Sequence, residues 1–432
     1  MVRAVFAAWN QAGVDWLVLR NYENLPDSTT NDIDVLIGPA HLDRAEKILL
    51  EEAERAQFRL HNKAAFATLA FYFSHKDSGV VIHFDLFTAL KWRTFHFLRC
   101  DRFLERKRNI GLFAVPHVAH EAATSLLATM IYTGQVKEKY KPAIQAGFAA
   151  EPAEAAAVLA GSYGESLAEF VVDAGAAGRW SEIEAATPRL RQNLIARQVC
   201  NHPLESIRSA SADAMRILNR FFWPPGLSLV LCGADGCGKS TIGDLLSQSM
   251  AATFPAAKSR RFHWKPPVFS GRRQAERAPV ADPHAKRPRN RLVSLVFFAL
   301  HWLEFMLGSL LRIRPITFRG GLVVTDRYYY DFLVDQSRYR LNVPGWLVRS
   351  GLAFIRKPDL AVLLDAPVEV LRARKQEVPP EETQRQREAY LAMMRSLPNG
   401  NVVDAAQAPE KVVADIRKLI LDYMVKRQSS RE

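Results

Sequence analysis

At 432 residues the chain is longer than one hydrophobic core usually serves, so we expect two or three domains. Its formal charge of +13 and its isoelectric point near 9.6 suit nucleic acid, an anionic membrane surface or phosphorylated small molecules as partners. The four cysteines are few and no pair has the spacing of a metal or redox motif, which favours a reducing compartment. Residues 1–19 lack the cleavage site of a signal peptide, so we expect a cytoplasmic protein.

The first part of the chain predicts a small α+β domain with carboxylates on its strands. Residues 2–12 have the apolar spacing of a short helix, and residues 15–19 alternate as a strand. The next strand carries Asp32 and Asp34, which project from one face because they stand two apart. Asp85 follows on a later strand. Three such carboxylates can hold two divalent cations against a triphosphate; alternatively, they are solvated strand residues.

Residues from about 14 to 90 resemble the nucleotidyltransferase fold, in particular its small bacterial members, which have an acidic pair on one strand and a single acid on a later strand. The resemblance implies metal-dependent nucleotidyl transfer, with these three carboxylates as metal ligands. The Gly-Ser that precedes the acidic pair in that family is absent, and Arg20-Asn21 stand in that region. We assign residues 1–115 to a nucleotidyltransferase-like domain.

The middle of the chain predicts a helical connector or subdomain over residues 116–224, since it is alanine-rich and has repeated helical spacing. His117 and His120 lack the glutamate spacing of a zinc helix, so we interpret them as surface or capping residues. Pro224-Pro225-Gly226 breaks the chain. We therefore place a third domain at residues 225–432.

Residues 227–241 predict a strand, a glycine loop and the start of a helix. The loop has the spacing Gly-x-x-x-x-Gly-Lys-Ser/Thr, in which backbone N–H groups curl around a phosphate. Lys239 then reaches the β and γ oxygens, and the hydroxyl of Ser240 binds Mg²⁺. We expect ATP with Mg²⁺ on this phosphate loop, which comprises Gly233, Ala234, Asp235, Gly236, Cys237, Gly238, Lys239, Ser240 and Thr241.

Two later stretches predict further parts of the same site. Residues 322–328 form a buried strand that ends in Asp326 and Arg327, at the carboxyl edge of a parallel sheet. There Asp326 would hold Mg²⁺ or orient the acceptor, and Arg327 would neutralise phosphoryl charge. Arg372 and Arg374 precede a loop and are candidate cations of a lid that closes over ATP.

A basic stretch and an apolar segment lie between these motifs. Residues 256–291 are arginine-rich and broken by prolines, which predicts either a loop that guides an anionic acceptor or lipid surface, or a solubilising exposed loop. Residues 292–311 nearly have the length of a membrane span. His301 and Glu304 at their centre favour a buried helix beside the sheet instead. Peripheral membrane contact through this helix stays open.

Together, the phosphate loop, Asp326-Arg327-Tyr328, the strand at 358–367 and the arginine pair resemble thymidylate kinases, over residues from about 228 to 425. The resemblance implies an α/β fold, the three-layer parallel sheet of nucleoside monophosphate kinases among P-loop NTPases. It also implies ATP, Mg²⁺ and a nucleoside monophosphate acceptor, with Asp235 on the acceptor sugar, Asp326-Arg327 at the acceptor phosphate and metal, and the lid arginines on the transferred group. That family has an Arg-Glu-Pro-Gly-Gly-type segment where this chain has residues 263–267.

The sequence leaves three hypotheses open. The first is a kinase with a small-molecule phosphate acceptor, thymidylate being the first candidate. The second is an enzyme of sugar or polysaccharide precursors that uses the amino-terminal acids for nucleotidyl transfer, since the two-part architecture is similar to proteins associated with bacterial surface-polysaccharide production. The third is an ATP-binding regulator or membrane-associated scaffold. No specific nucleic acid partner is expected, and a homodimer stays open.

Overall fold

The architecture comes from a computed structural model that describes residues 1–29, 32–65, 68–76, 78, 80–254, 256–269, 287–376 and 378–429. The chain separates into two compact units, the first formed by residues 1–219 with the chain end from Arg427, and the second by residues 220–426. The boundary falls inside a helix, close to the predicted boundary at 224. Residues 270–286 of the predicted basic stretch lie outside the described residues.

The first unit begins with a mixed sheet. Its elements are α1 (Val2–Gln11), β1 (Trp16–Val18), β2 (Ile33–Ile37), α2 (Leu42–Arg55), β3 (Phe58–Ala65), β4 (Leu69–His75) and β5 (Val81–Phe87). The strand order among the described residues is β1-β2-β5-β4-β3, and β2 runs parallel to β5 while the other pairs are antiparallel. In this register Asp34 on β2 stands beside Asp85 on β5. The sheet therefore brings two of the predicted acids to neighbouring strands.

Helices dominate the rest of the first unit. The elements are β6 (Leu90–Trp92), β7 (Phe95–Leu98), α3 (Asp101–Glu105), β8 (Lys107–Ile110), β9 (Phe113–Pro116), α4 (Val118–Thr133), α5 (Lys141–Ala150), α6 (Pro152–Tyr163), α7 (Glu165–Ala176), α8 (Trp180–Ala185), α9 (Thr187–Asn201) and α10 (Pro203–Phe222). Leu17 and Leu36 of the sheet share one hydrophobic core with Leu126 and Leu159 of the helices. The predicted connector thus lies largely within the first unit.

The second unit is built around a parallel sheet. Its elements are β10 (Leu227–Cys232), α11 (Lys239–Ser249), β11 (Arg260–Phe262), α12 (Arg291–Gly308), α13 (Arg314–Phe318), β12 (Leu322–Asp326), α14 (Asp331–Val334), α15 (Gly345–Gly351), β13 (Leu360–Asp365), α16 (Val368–Arg374), α17 (Pro380–Ser396), β14 (Gly400–Asp404) and α18 (Pro409–Ser429). In the part that the structure describes, the strands follow the order β11-β12-β10-β13-β14, and every pair is parallel. The parallel sheet predicted from the sequence is confirmed.

Alternating residues of β10 explain why this sheet lies between two helical layers. Leu229 and Leu231 pack on one side with residues of α11 and α18, whereas Val230 and Cys232 pack on the other with residues of α12 and α17. A strand that is buried on both faces reads as a continuous apolar run, as β10 does. The end of β10 therefore emerges at the carboxyl edge of the sheet, where the phosphate loop begins.

The helix over residues 292–311 differs from the expected buried helix. Its carboxyl-terminal half is buried, with Glu304 and Phe305 inside the second unit, but its amino-terminal half is largely exposed. Glu304 is tolerated inside because Lys265 forms an ion pair with it. A π-helical turn at Ser309–Ile313 then joins α12 to α13.

Candidate functional site

The phosphate loop joins β10 to α11 through three glycines in conformations that other residues rarely adopt. Gly233, Gly236 and Gly238 have φ angles of +144°, +84° and +90°. A Cβ atom on Gly233 would stand 2.8 Å from the carbonyl oxygen of Leu364, and one on Gly236 would collide with the carbonyl oxygen of Leu371. The loop thus lies directly against β13 and α16, and it has room for glycine alone at these two points.

Lys239, the first residue of α11, folds back into the loop. Its buried ammonium group donates hydrogen bonds to the carbonyl oxygens of Gly233 at 2.8 Å and Ala234 at 2.9 Å, and lies 3.4 Å from the sulfur of Cys237. The loop backbone therefore surrounds a fixed positive charge. Such a charge, together with the N-terminus of α11, is what an oligophosphate needs for recognition.

Asp326 ends β12 beside the phosphate loop, as predicted from the strand pattern. It is fully buried and pairs in register with Leu231, the last but one residue of β10. Arg261 from β11 neutralises this carboxylate, with its Nε 3.3 Å from Oδ1, and also donates to the backbone carbonyl of Ser240 at 2.9 Å. Burial alone would lower the pKa of Arg261, but hydrogen bonds to Asp326 and Asp244 raise it above its usual value.

Arg327 contacts the phosphate loop itself. Its φ angle is +55°, its backbone N–H donates to the carbonyl of Leu231, and its guanidinium forms ion pairs with Asp235 and Asp331. Arg338 also donates to the carboxylate of Asp235, at 2.5 Å. Burial would lower the pKa of Arg327, but the charges of Asp331 and Asp235 raise it well above its usual value. Two guanidinium groups thus converge on one loop carboxylate.

Asp331 is a functional candidate that the sequence analysis missed. Its fully buried carboxylate accepts hydrogen bonds from Arg327 at 3.1 Å, from the hydroxyl of Tyr339 at 2.9 Å and from the hydroxyl of Tyr390 at 2.8 Å. The ring of Tyr339 stacks on Trp264, with 4.6 Å between centroids and 15° between planes. An aromatic pair is thereby linked through Asp331 to the arginine that touches the phosphate loop.

The predicted lid arginines stand on α16, whose carboxyl-terminal turn lies against the loop at Gly236. Their side chains donate hydrogen bonds to residues outside the phosphate loop. Arg372 donates to the carbonyl of Val378, and Arg374 donates to the carbonyl of Ala405. The structure therefore brings the helix to the phosphate loop and engages both guanidinium groups with neighbouring backbone. Each of these hydrogen bonds uses one of the five N–H groups of its guanidinium, and a role on the transferred group stays a prediction.

The amino-terminal acids are arranged around a histidine that the sequence analysis did not consider. His83 lies 2.7 Å from Asp32 through Nδ1 and 3.2 Å from Asp85 through Nε2, and the potential ligand atoms of the three residues lie within 4.8 Å of one another. Burial would lower the pKa of His83, but its two carboxylate partners raise it to about 9. Asp34 is instead buried and paired with Arg20 at 2.5 Å.

Burial raises the pKa of Asp34 despite the charge of Arg20. The structure thus brings together two of the three predicted metal ligands, Asp32 and Asp85, and adds His83 to them. An imidazole with two carboxylates suits a first-row transition ion such as Mn²⁺ or Zn²⁺ better than a pair of Mg²⁺ ions. The alternating spacing of His83 and Asp85 on one strand is the signal that could have revealed this set.

A phosphate loop after a central parallel strand, with an Asp-Arg pair on the neighbouring strand, defines the second unit as a P-loop kinase domain of the nucleoside monophosphate kinase type. The chain is 30% identical over 215 residues to the thymidylate kinase of Symbiobacterium thermophilum, a match that covers 45% of this chain and 92% of that protein. It is 30% identical over 194 residues to the thymidylate kinase of Methylococcus capsulatus, covering 42% and 88% respectively. Over somewhat less than half of its length, the chain belongs to the thymidylate kinase family.

This homology supports a phosphotransferase, as the sequence predicts. The thymidylate kinase structure from Ehrlichia chaffeensis also matches, with a TM-score of 0.34 and 16% identity, over 45% of this chain and 100% of that one. No protein-family profile matches the chain. The nucleotidyltransferase resemblance of the first unit stays a prediction.

Proposed function

We propose that the second unit transfers the γ-phosphate of ATP, in the presence of Mg²⁺, to a nucleoside monophosphate, with thymidylate as the first acceptor to test. The observation that carries this proposal is the meeting of two distant segments: Arg327 forms an ion pair with Asp235 of the phosphate loop, and Asp326 stands in register beside Leu231. The family membership supports the same reaction.

The residues at this edge fit a magnesium ion. Asp326 offers a buried carboxylate and Ser240, an exposed residue in the first turn of α11, offers a hydroxyl, and hard oxygen ligands of this kind are those that Mg²⁺ prefers. When bound, Mg²⁺ would neutralise charge on the phosphate oxygens. Lys239 would bind the β and γ oxygens, and the N–H groups of the loop would orient them. Arg261 holds the carboxylate of Asp326 in place for this task.

We further propose that the acceptor phosphate binds beside Arg327 and Arg338, both of which already face a carboxylate of the loop. The stacked pair of Trp264 and Tyr339 lies next to this point and offers a flat apolar surface for a base. Trp264 belongs to residues 263–267, where the chain departs from the thymidylate kinase pattern. We therefore place the determinant of acceptor choice in this segment.

The test is a transfer assay with γ-labelled ATP, Mg²⁺ and a panel of nucleoside monophosphates and sugars. We expect label on a nucleoside monophosphate, and Lys239→Ala should lower the rate by about a hundredfold or more because the phosphates lose their fixed cation. Lys411→Ala, at an exposed position of α18, is the matched control. Undiminished transfer by Lys239→Ala would refute the proposal, and ATP binding without transfer to any acceptor would favour the scaffold hypothesis.

A second candidate activity concerns the first unit and is favoured by the cluster of Asp32, His83 and Asp85. We propose that this cluster holds a divalent cation for nucleotidyl transfer to a sugar or polysaccharide precursor. Nucleotidyl transfer releases pyrophosphate, whereas the kinase reaction releases ADP, so product analysis separates the two. Mn²⁺ titration of Asp85→Asn and of Asp43→Asn, an exposed control on α2, tests the cation site. Equal Mn²⁺ affinity in both variants would contradict it.

A further inference from the structure

The amino-terminal half of α12 exposes a run of apolar side chains. Leu292, Val296 and Leu300 are 77%, 60% and 53% exposed, and their spacing of four residues places them along one side of the helix. We call the exposed set the apolar face; it comprises Leu292, Val293, Leu295, Val296, Phe297 and Leu300. Contiguous apolar surface of this kind marks an interaction site, because leaving it in water is unfavourable.

A neighbouring segment extends this surface. The indole nitrogen of Trp302 donates to the carbonyl of Gly351 at 3.1 Å, which fixes α12 against the end of α15. Phe354 follows directly, contacts the ring of Trp302 and is 66% exposed. The aromatic ring therefore stands beside the helix that carries the apolar face.

Positive charge outweighs negative charge in the segments next to this surface. Residues 287–300, which lead into α12 and form its exposed half, contain three arginines and no acidic residue, while residues 340–358 contain four basic residues and no acidic one. Glu304, farther along α12, is buried and paired with Lys265. Arg287 and Arg291 are exposed at the start of α12, and the guanidinium of Arg289 lies 4.1 Å from the ring centroid of Phe297. The surface thus has an apolar centre and a cationic border.

These charges decide among the partners. A second copy of the chain would bring one cationic border against another, which like-charge repulsion opposes. Anionic lipid headgroups complement such a border, and acyl chains accept the apolar side chains between them. The helix continues to Phe318 and is long and apolar enough to span a bilayer, yet its later half is held inside the second unit, with Phe305 packed on Tyr328 and Tyr329.

We propose that the apolar face and its arginines dock the protein on an anionic lipid bilayer, with the first half of α12 lying in the plane of the interface. The arginines would sit at headgroup level while Leu292, Val296 and Leu300 enter the outer acyl region. This proposal concerns where the protein works and is independent of the acceptor of the kinase.

The test is co-flotation of the full chain with vesicles of phosphatidylcholine, alone or with one quarter phosphatidylglycerol. We expect binding to the anionic vesicles that weakens as salt is raised. The triple variant Leu292→Glu/Val296→Glu/Leu300→Glu should lower the partition coefficient for anionic vesicles by more than about tenfold. Arg287→Gln and Arg291→Gln should each lower it by about fivefold. The matched control is the set of exposed α10 residues changed in the same way, Leu204→Glu/Ile207→Glu/Met215→Glu.

Retained ATP binding shows that each variant is folded. If the α12 triple variant does not fold, the arginine variants and the salt series test the proposal in its place. Absence of binding to anionic vesicles, or an equal loss in the α10 control, would overturn the proposal. A second result would also overturn it: the protein forms a dimer in light scattering, the α12 triple substitution dissociates this dimer, and the protein does not bind vesicles. The apolar face would then join two copies of the chain.

Discussion

Asp331→Asn is the substitution that most directly tests how the second unit is held together. The wild-type carboxylate is fully buried and accepts hydrogen bonds from Arg327, Tyr339 and Tyr390. Asparagine keeps the shape but removes the charge and one acceptor oxygen, so Arg327 loses one of its two ionic partners. Removing one member of a buried ion pair typically lowers the free energy of unfolding by about 3–5 kcal/mol. Because Arg327 keeps its ion pair with Asp235, we expect a decrease near the lower end, of about 3 kcal/mol.

The assay is urea unfolding followed by tryptophan fluorescence, with Tyr390→Phe as the comparison. That variant removes one neutral donor and leaves the charges intact, so it should cost only about 1 kcal/mol. We also expect Asp331→Asn to raise the KM of the acceptor, because Arg327 is no longer held in position. If Asp331→Asn lowers the free energy of unfolding no more than Tyr390→Phe does, the reasoning that Asp331 acts through its charge is refuted.

Two further outcomes are expected. Gly236→Ala should weaken ATP binding about tenfold in calorimetry, because alanine is strained at φ +84° and its Cβ meets a backbone carbonyl. The control Gly345→Ala should leave ATP binding unchanged, because a Cβ at that position meets open space. His83→Gln should destabilise the protein most near pH 6 and not at all above pH 10, as measured by urea unfolding across pH. The folded-state pKa of His83, about 9, exceeds the unfolded value of about 6.5, so its contribution, at most about 3 kcal/mol, is complete below 6.5 and disappears as pH rises through 9. A pH-independent difference would contradict this.

The parts of the site that local sequence specifies were predictable. The spacing of the phosphate loop is a property of nine consecutive residues, and the position of Asp326 and Arg327 follows because parallel strands end at a common edge. Arg261, Asp331 and Arg338 were missed because their partners stand in distant segments, and no short pattern connects an arginine with the carboxylate that it will neutralise.

The period-two rule brings the amino-terminal acids to a common face but does not predict their partners. Asp34 stands in register beside Asp85, and Asp32, just before β2, contacts His83, which lies two residues before Asp85 on β5. The rule did not predict that Asp34 is buried against Arg20 or that His83 joins Asp32 and Asp85. The helix at 292–311 is a similar case. Its average apolarity predicts burial, but it does not show which half packs inside the second unit and which half stays exposed.

The half-embedded helix α12 joins two surfaces of the second unit. Its inner half contacts Trp264 through Phe305, and Trp264 belongs to the aromatic pair proposed to receive the acceptor base, while its outer half carries the apolar face. A helix is stiff along its axis, so lipid adsorption at its exposed half would set the angle at which the second unit stands on the bilayer.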